Sequence, residues 1–437
     1  MPGLKGRISR LKSLGLVKAS ELGAAPVEPA ASAEPASPEA APRRERTSPQ
    51  ERGHFLPGWE RIAPHVYRRT ADTNFGLGGS QPMVFHPAYF EHHPLPAQSQ
   101  ASRPPDPGLP LDGLSFFDLE TTGLSGGTGT IAFLAAIGYF EGADFLVTQV
   151  FVDDFPGEPR FLEALAEALA QRPYVVTYNG AAFDMPLLRT RCIMNAVPLP
   201  ELAHTDALKA ARRLWRRTLG SCALQAMEAA VLGEQRIGDI PGFMIPGLWL
   251  EYSASAASES ETFESMGKIA DHNALDVVSL ARLFLRIERI MAQPELRWAA
   301  DKVCAPRLAA ELMALGREAE GLSILEASGA EGDQAALLLL ARLSRRRRDF
   351  DAYERAVLAL DDCSLLGLIE RAKLFEHVRR DAASALLYAE LAASLLSEGG
   401  GEIGGLNPSH RGEALEALAR RIGRLKRKLA RGEGNKG

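Results

Sequence analysis

Apolar residues in the middle of the chain follow two spacings, one typical of strands and one typical of helices. Three β-rich apolar runs, 114–119, 131–139 and 145–151, follow one another, with a turn at 142–144 between the last two. This arrangement predicts an antiparallel meander of three strands. Residues 158–171 instead carry apolar side chains on one helical stripe, which predicts an amphipathic helix against the sheet.

Predicted strands and helices continue to alternate after residue 171. A short apolar strand, 174–178, ends in a glycine turn, and a helix start follows that places Asp184 near the carboxyl end of the sheet. Residues 206–233 have a helical pattern, whereas 236–252 are rich in Pro and Gly and are predicted to be a loop. A further helix is predicted over 266–291. Strands that alternate with helices indicate an α/β fold with a mixed sheet.

Composition shifts divide the chain into three parts. Residues 1–54 combine a basic amphipathic start with an Ala/Pro-rich stretch too poor in large apolar groups to be more than a disordered linker. Residues 55–293 form the predicted α/β domain. Residues 294–437 are helical throughout, and two of their segments align at an offset of about thirty-two residues, which resembles tetratricopeptide-like hairpins. Such repeats bind protein partners, and a basic helix ends the chain.

Charge and cysteine content narrow the function classes. The net charge of −5 over 437 residues gives no global sign of nucleic-acid binding, so any basic surface must be local, as at Arg212, Arg213, Arg216 and Arg217. The four cysteines have no C-x-x-C spacing, which favours a reducing cytoplasm. No apolar run reaches the roughly eighteen residues of a membrane span, and no signal-peptide core follows the N-terminus.

Candidate chemistry begins in the first strand of the meander, Ser115-Phe116-Phe117-Asp118-Leu119-Glu120. Asp118 and Glu120 are two residues apart and therefore lie on the same face of that strand. Two like charges on a buried face repel each other, and Mg²⁺ or Mn²⁺ is the usual remedy because both prefer oxygen ligands. The alternative is a partly exposed acidic pair at a sheet edge.

Two more acidic stretches follow in order, Asn179-(x)3-Phe183-Asp184 and His272-(x)3-Asp276. Together the three resemble the motifs of the DEDD 3′–5′ exonucleases of the ribonuclease H-like superfamily. The stretches His204-x-Asp206, Ser221-Cys222-Ala223-Leu224 and Asp239-Ile240-Pro241-Gly242 are similar to those of its bacterial YprB-like branch. The resemblance covers roughly residues 55–290.

The resemblance implies a ribonuclease H-like sheet and hydrolysis of phosphodiester bonds in DNA or RNA by two Mg²⁺ or Mn²⁺ ions. Its implied metal ligands are Asp118, Glu120, Asp184 and Asp276, with His272 as the base that activates water. We expect substrate contacts from Thr121, Leu124, Asn179, Phe183, Arg212 and Arg216.

One feature departs from the family pattern. Members of the resembled family that use a histidine base have four residues between that histidine and the last Asp, and members that use a tyrosine have three. His272 and Asp276 have the three-residue gap of the tyrosine members, and Asp271 occupies the position at which the four-residue gap would place the histidine. Either His272 acts as the base in a different orientation, or the base is supplied otherwise. A purely structural His272 is the third alternative.

Other residues also have structural alternatives. Asn179 and Phe183 can serve the turn and the core, the arginines can be a solvated helix face, and Asp206 can cap a helix. The rival functions are endonuclease or oligonucleotide clean-up on the same fold, and a non-catalytic nucleic-acid-binding scaffold whose repeats hold protein partners.

Overall fold

A seven-stranded mixed sheet lies at the centre of the structure, a computed structural model. The structure describes residues 58–73, 75, 84–90, 108–123, 129–254, 260–398 and 408–433. The described residues belong to one compact unit, 48–437. The predicted N-terminal segment and linker, 1–54, lie outside the described residues.

Nine strands occur within the described residues, and seven of them form the central sheet in the order β1-β2-β7-β6-β5-β8-β9. The pairs from β1 to β5 are antiparallel, and β5 pairs in parallel with β8, which pairs in parallel with β9. The predicted meander is confirmed as β5, β6 and β7. The strand bounds are β1 Glu60–Ala63, β2 Val66–Thr73, β3 Val84–Phe85, β4 Leu109–Pro110, β5 Leu114–Thr121, β6 Ala132–Glu141, β7 Asp144–Val152, β8 Tyr174–Thr177 and β9 Ala203–Asp206.

Helices flank the sheet and form the rest of the described chain. In the α/β region they are α1 Glu158–Gln171, α2 Asp184–Met194, α3 Ala207–Leu219, α4 Leu224–Met227, α5 Ile245–Ala254 and α6 Ser260–Ala292, with a π-helical turn at Glu228–Leu232. Beyond it are α7 Pro294–Arg297, α8 Ala305–Ala314, α9 Glu318–Ala330, α10 Gln334–Arg347, α11 Phe350–Ala359, α12 Leu365–His377, α13 Ala382–Glu398 and α14 Pro408–Glu433. Short 3-10 turns occur at Pro87–Tyr89, Leu111–Gly113, Phe155–Gly157 and Gly242–Met244.

The two faces of the sheet pack against different helices, because neighbouring residues of a strand point to opposite faces. On β5, Phe116 joins a core that contains Phe284 of α6. Phe117 instead joins a core on the other face that contains Phe161 and Leu165 of α1. Asp118 and Glu120 therefore share the face of Phe116, which is the face covered by α6.

The C-terminal helices pair into hairpins with a regular spacing. A residue with positive φ lies in the turn between α8 and α9 (Gly316), between α10 and α11 (Arg348), and between α12 and α13 (Arg380), each thirty-two residues after the last. The aspartates after the two arginines, Asp349 and Asp381, accept backbone N–H bonds from the next helix. These turns explain the offset seen in the sequence.

The predicted loop at 236–252 is only partly correct. Its second half is helix α5. Pro246 does not prevent this helix, because it lies in the first turn, where the missing backbone N–H has no helical partner to lose. Trp249 and Tyr252 of this helix are buried in the α1-side core. The last helix of the α/β region also begins earlier than predicted, at Ser260. Among the described helices, none is long and apolar enough to cross a membrane.

Candidate active site

Three elements bring the predicted acidic residues together. Asp118 and Glu120 lie near the carboxyl end of β5, Asp184 is the first residue of α2, and Asp276 lies on α6 with His272 one turn before it. The ring atom Nε2 of His272 lies 3.9 Å from Oε1 of Glu120 and 3.7 Å from Oδ2 of Asp276. The side chains of β5 and α6 therefore meet at one site.

The four carboxylates disturb one another's ionisation. Burial, followed by repulsion from Asp276 and Asp184, raises the pKa of Asp118 and of Glu120 well above their ordinary values. Burial also raises the pKa of Asp276 and raises that of Asp184 to about 7. Buried carboxylates are expensive to ionise unless cations offset their charge.

A tight turn before α2 positions Asp184. A Cβ atom at Gly180 would lie 2.8 Å from Oδ2 of Asp184 and 2.5 Å from Cβ of Thr177, so the close approach requires glycine. Asn179 adopts a left-handed φ of 69°. Asp206 holds this turn by accepting the backbone N–H of Asn179 at 2.8 Å, and it also caps α3 through Leu208.

The structure distinguishes His272 from Asp271, the two candidates for the base before Asp276. The side chain of His272 is buried beside Glu120 and Asp276. The side chain of Asp271 is 71% exposed and pairs with Arg69. His272 therefore faces the carboxylates, and Asp271 does not.

Three charged residues that we did not predict as site residues form a cluster behind Asp276. Arg236 makes two hydrogen bonds to the buried carboxylate of Glu228 and one to Asp276. It also donates to Asp239 at 3.1 Å, and Asp239 in turn lies 2.7 Å from Nδ1 of His272. The Asp239 stretch was one signal in the sequence, but its role depends on tertiary contacts.

A buried amide network orients Asp118. Asn273 donates to Oδ2 of Asp118 at 2.8 Å, and its own oxygen accepts from Gln149 at 3.0 Å. Arg69 donates to the Gln149 oxygen at 2.6 Å. Asn273 directly follows His272. Its position, a polar residue on a helix face that points to the core, was the one sign in the sequence that it has a role at the site.

The predicted substrate residues differ in exposure. Thr121, at the end of β5, donates its hydroxyl to the carbonyl of Gly123. Phe183 is 52% exposed beside the buried Asp184. Arg212 and Arg216 are exposed on α3, while Arg213 is an internal contact, 3.1 Å from Glu311. Leu124 lies outside the described residues.

The donor set fits divalent cations. Four carboxylates, one buried and three half-buried, offer the hard oxygen ligands that Mg²⁺ and Mn²⁺ prefer. Within the described ranges no three of them come within 4.8 Å of one another, so they are spread more widely than the ligands of a single ion. The exposed group Asp361, Asp362 and Cys363 does converge, but exposed acidic groups are common without a metal.

Comparisons with known proteins agree with this fold. The family model described as the RNase_H superfamily matches residues 115–287, which run from β5 into α6. The chain is 30% identical over 339 residues to the uncharacterized protein YprB of Bacillus subtilis (strain 168), a match that covers 74% of this chain and 76% of YprB.

A solved structure, the family B DNA polymerase of the hyperthermophilic archaeon Pyrobaculum calidifontis, is similar at 15% identity and a TM-score of 0.33. That match covers 46% of this chain and spans 28% of the polymerase's length. The sheet and the match to the RNase_H superfamily model define an RNase H-like protein. Given the extent of its identity to YprB, the chain belongs to the YprB family of such proteins.

Proposed function

We propose that this protein is a metal-dependent nuclease that hydrolyses phosphodiester bonds, as a 3′–5′ exonuclease on single-stranded DNA or RNA. The observation that carries the proposal is a set of four carboxylates, one buried (Asp184) and three half-buried, each of which has a raised pKa. Burying so many like charges is costly, and it makes chemical sense where cations bind.

The ligands would be Asp118, Glu120, Asp184 and Asp276. Two Mg²⁺ or Mn²⁺ ions in such a site supply charge stabilisation for the attacking and leaving oxygens of a phosphodiester. Hydrogen bonds to the ligands from outside the site, from Asn273 to Asp118 and from Arg236 to Asp276, keep each carboxylate in one orientation.

His272 is the proposed general base. Its Nε2 atom is the ring nitrogen that faces Glu120 and Asp276, so it is placed to accept a proton from water on the carboxylate side. The three-residue gap to Asp276 still puts both side chains on one face of α6. The alternative base at the other offset, Asp271, points to solvent.

The substrate strand would pass the exposed surface around Asp184. Phe183 offers an exposed ring on which a base could stack, and Arg212 and Arg216 offer charges for backbone phosphates. Thr121, Leu124 and Asn179 complete the proposed contacts. The 3′–5′ polarity rests on the family resemblance.

The helical hairpins from α8 to α13 have a second proposed role. Their thirty-two-residue spacing is near that of tetratricopeptide-like repeats, which bind peptides on a shared surface. We propose that they hold a protein partner, and that the protein acts in the cytoplasm.

The polarity test uses single-stranded DNA and RNA of one sequence, labelled at the 3′ or the 5′ end, with either end blocked. With Mg²⁺ or Mn²⁺ we expect mononucleotides released from the 3′ end, and no reaction on strands blocked there or in EDTA. Internal cuts in end-blocked strands would indicate an endonuclease. Metal-independent binding without any cleavage would favour a non-catalytic scaffold.

A further inference from the structure

The loop between the π-helical turn and α5 contacts the ring of His272 from the side opposite the carboxylates. Oδ1 of Asp239 lies 2.7 Å from Nδ1 of His272, while Nε2 of the same ring faces Glu120 and Asp276. The ring therefore lies between one loop aspartate and the four-carboxylate site.

The Asp239 carboxylate is held in place by donors on both oxygens. Oδ1 also accepts the backbone N–H of Ile240 at 2.9 Å, and Oδ2 accepts from Arg236 at 3.1 Å and from Gln225 at 3.3 Å. Partial burial opposes ionisation of Asp239, but the hydrogen bonds from His272 and Arg236 outweigh it, and the pKa lies below its ordinary value. An ionised carboxylate can only accept hydrogen bonds.

These contacts determine which ring nitrogen carries the proton. Nδ1 of His272 lies 2.7 Å from an atom that can only accept, so Nδ1 must be the donor. The other neighbour of Nδ1, Nη1 of Arg236, is a donor at 3.4 Å, and the shorter contact to Asp239 outcompetes it. In the neutral ring the lone pair is then on Nε2, on the side of the carboxylates.

We infer that Asp239 is a positioning residue that fixes the tautomer and the direction of His272, so that Nε2 acts as the proton acceptor. The inference rests on the proposed nuclease function. It also accounts for the unusual spacing: the ring is aimed from outside the helix by a loop residue, so its orientation does not depend on the number of residues between His272 and Asp276.

Arg236 links this pair to Asp276, one of the proposed metal ligands. Its guanidinium is anchored by two hydrogen bonds to Glu228, and it contacts both Asp239 and Asp276. One anchored side chain therefore sets the relative positions of the proposed base and of one proposed ligand.

The direct test is spectroscopic. The full-length protein would be labelled with ¹⁵N at histidine and saturated with Mg²⁺, and two-bond ¹H–¹⁵N correlations would be recorded at a pH where the ring is neutral. The His272→Gln protein identifies the His272 signals among the nine histidines. We expect a proton on Nδ1 in the wild type, and loss of this fixed tautomer in Asp239→Ala. A proton on Nε2 in the wild type would overturn the inference.

The kinetic test compares Asp239→Asn, Asp239→Glu and Glu234→Gln. Glu234 is the matched control, because it is in the same loop and its 2.6 Å pair with Arg282 is half-exposed. We expect Asp239→Asn to lower the single-turnover cleavage rate about a hundredfold, as for a misplaced general base, with strand and Mn²⁺ affinity within about twofold. Asp239→Glu should recover part of the rate, and Glu234→Gln should match the wild type.

The two tests separate failure of this inference from failure of the proposed function. An unchanged rate in Asp239→Asn, with active wild type, would reject the positioning role and leave the nuclease intact. No cleavage of any strand by the wild type would reject the nuclease, and with it the base, whatever the tautomer proves to be. Parallel losses of rate, strand affinity and metal affinity would reduce Asp239 to a structural residue.

Discussion

At the scale of single residues, the site is a place where burial and charge oppose each other. Asp118, Glu120, Asp184 and Asp276 are more difficult to ionise than ordinary carboxylates, chiefly because of burial. Repulsion from Asp276 adds to this for the other three. Arg236 offsets part of this charge by its contact with Asp276. Without metal, the cluster should therefore reduce the stability of the fold.

The pH dependence of stability tests this cost. The pKa of Asp184 rises from its ordinary value of 3.8 to about 7, so the folded protein holds this proton more tightly than the unfolded chain. The stability that protonated Asp184 gives the folded state is thus present at low pH and is lost as the pH rises towards 7. Urea unfolding in EDTA between about pH 5 and about pH 8 should show a steeper fall in the wild type than in Asp184→Asn.

Saturating Mg²⁺ should remove that difference, because a bound cation favours the ionised carboxylates. Equal pH slopes for the wild type and Asp184→Asn in EDTA would contradict a raised pKa at this position.

The sequence indicated the acidic residues but not the groups that hold them. Asp118 and Glu120 were found from their spacing in a strand, and Asp184, His272 and Asp276 from their resemblance to the family motifs. The hydrogen bonds of Asn273, Gln149, Arg236 and Glu228 join residues far apart in the chain. No local pattern specifies such partners.

At the scale of elements, the site depends on where strands end and helices begin. The carboxyl ends of β5, β8 and β9 lie at one edge because these strands are parallel. The turn after β8 brings Asp184 against β5 only because Gly180 has no side chain. Strands β5 to β8 and helices α1 and α6 were predictable from their periodicity. The helical pattern over 206–233 is interrupted between α3 and α4 and ends in a π-helical turn, and β9 was not predicted. Helix α5 was missed because Pro246 and Gly247 usually indicate a loop.

Replacing Gly180 with alanine tests the close turn. The added Cβ would overlap Thr177 at 2.5 Å and approach Asp184 at 2.8 Å, so we expect a loss of about 1–3 kcal/mol in the free energy of unfolding. Displacement of Asp184 should also lower cleavage by tenfold or more, on the order of one misplaced catalytic group.

Gly247→Ala is the matched control, because a Cβ there meets nothing within 4 Å. It should leave cleavage unchanged and, within helix α5, stabilise the fold by up to about 1 kcal/mol. Wild-type activity in Gly180→Ala would show that the turn does not position Asp184.

At the scale of the whole molecule, the predicted boundary at residue 293 remains a prediction. Leu308 and Leu312 of α8 belong to the same hydrophobic cluster as Phe116 of β5 and Phe284 of α6. Polar contacts across this boundary add to the cluster, as between Trp215 and the carbonyl of Asp301 at 2.7 Å. The first hairpin should therefore support the α/β region.

Substitutions at two buried leucines test whether the first hairpin stabilises the α/β region specifically or only the helical region as a whole. Leu308→Ala removes a fully buried side chain from the shared core and should cost about 2–5 kcal/mol. It should lower the temperature at which nuclease activity is lost. Leu396→Ala, equally buried but in the terminal cluster of α12 to α14, should leave that temperature unchanged. An unchanged inactivation temperature in Leu308→Ala would contradict the support.

The most direct measurement of the central claim is metal-dependent cleavage by Asp276→Asn beside Asp271→Asn. The two aspartates lie on one helix, but Asp276 interacts with Asp118 and Glu120, whereas Asp271 is exposed. Single-turnover cleavage of an end-labelled strand would be followed in Mg²⁺ and in EDTA, with circular dichroism as the check on folding. We expect Asp271→Asn to cleave like the wild type, and Asp276→Asn to be about a thousandfold slower, because several kcal/mol of charge stabilisation are lost. Equal rates in the two variants, or cleavage that persists in EDTA, would contradict the proposed active site.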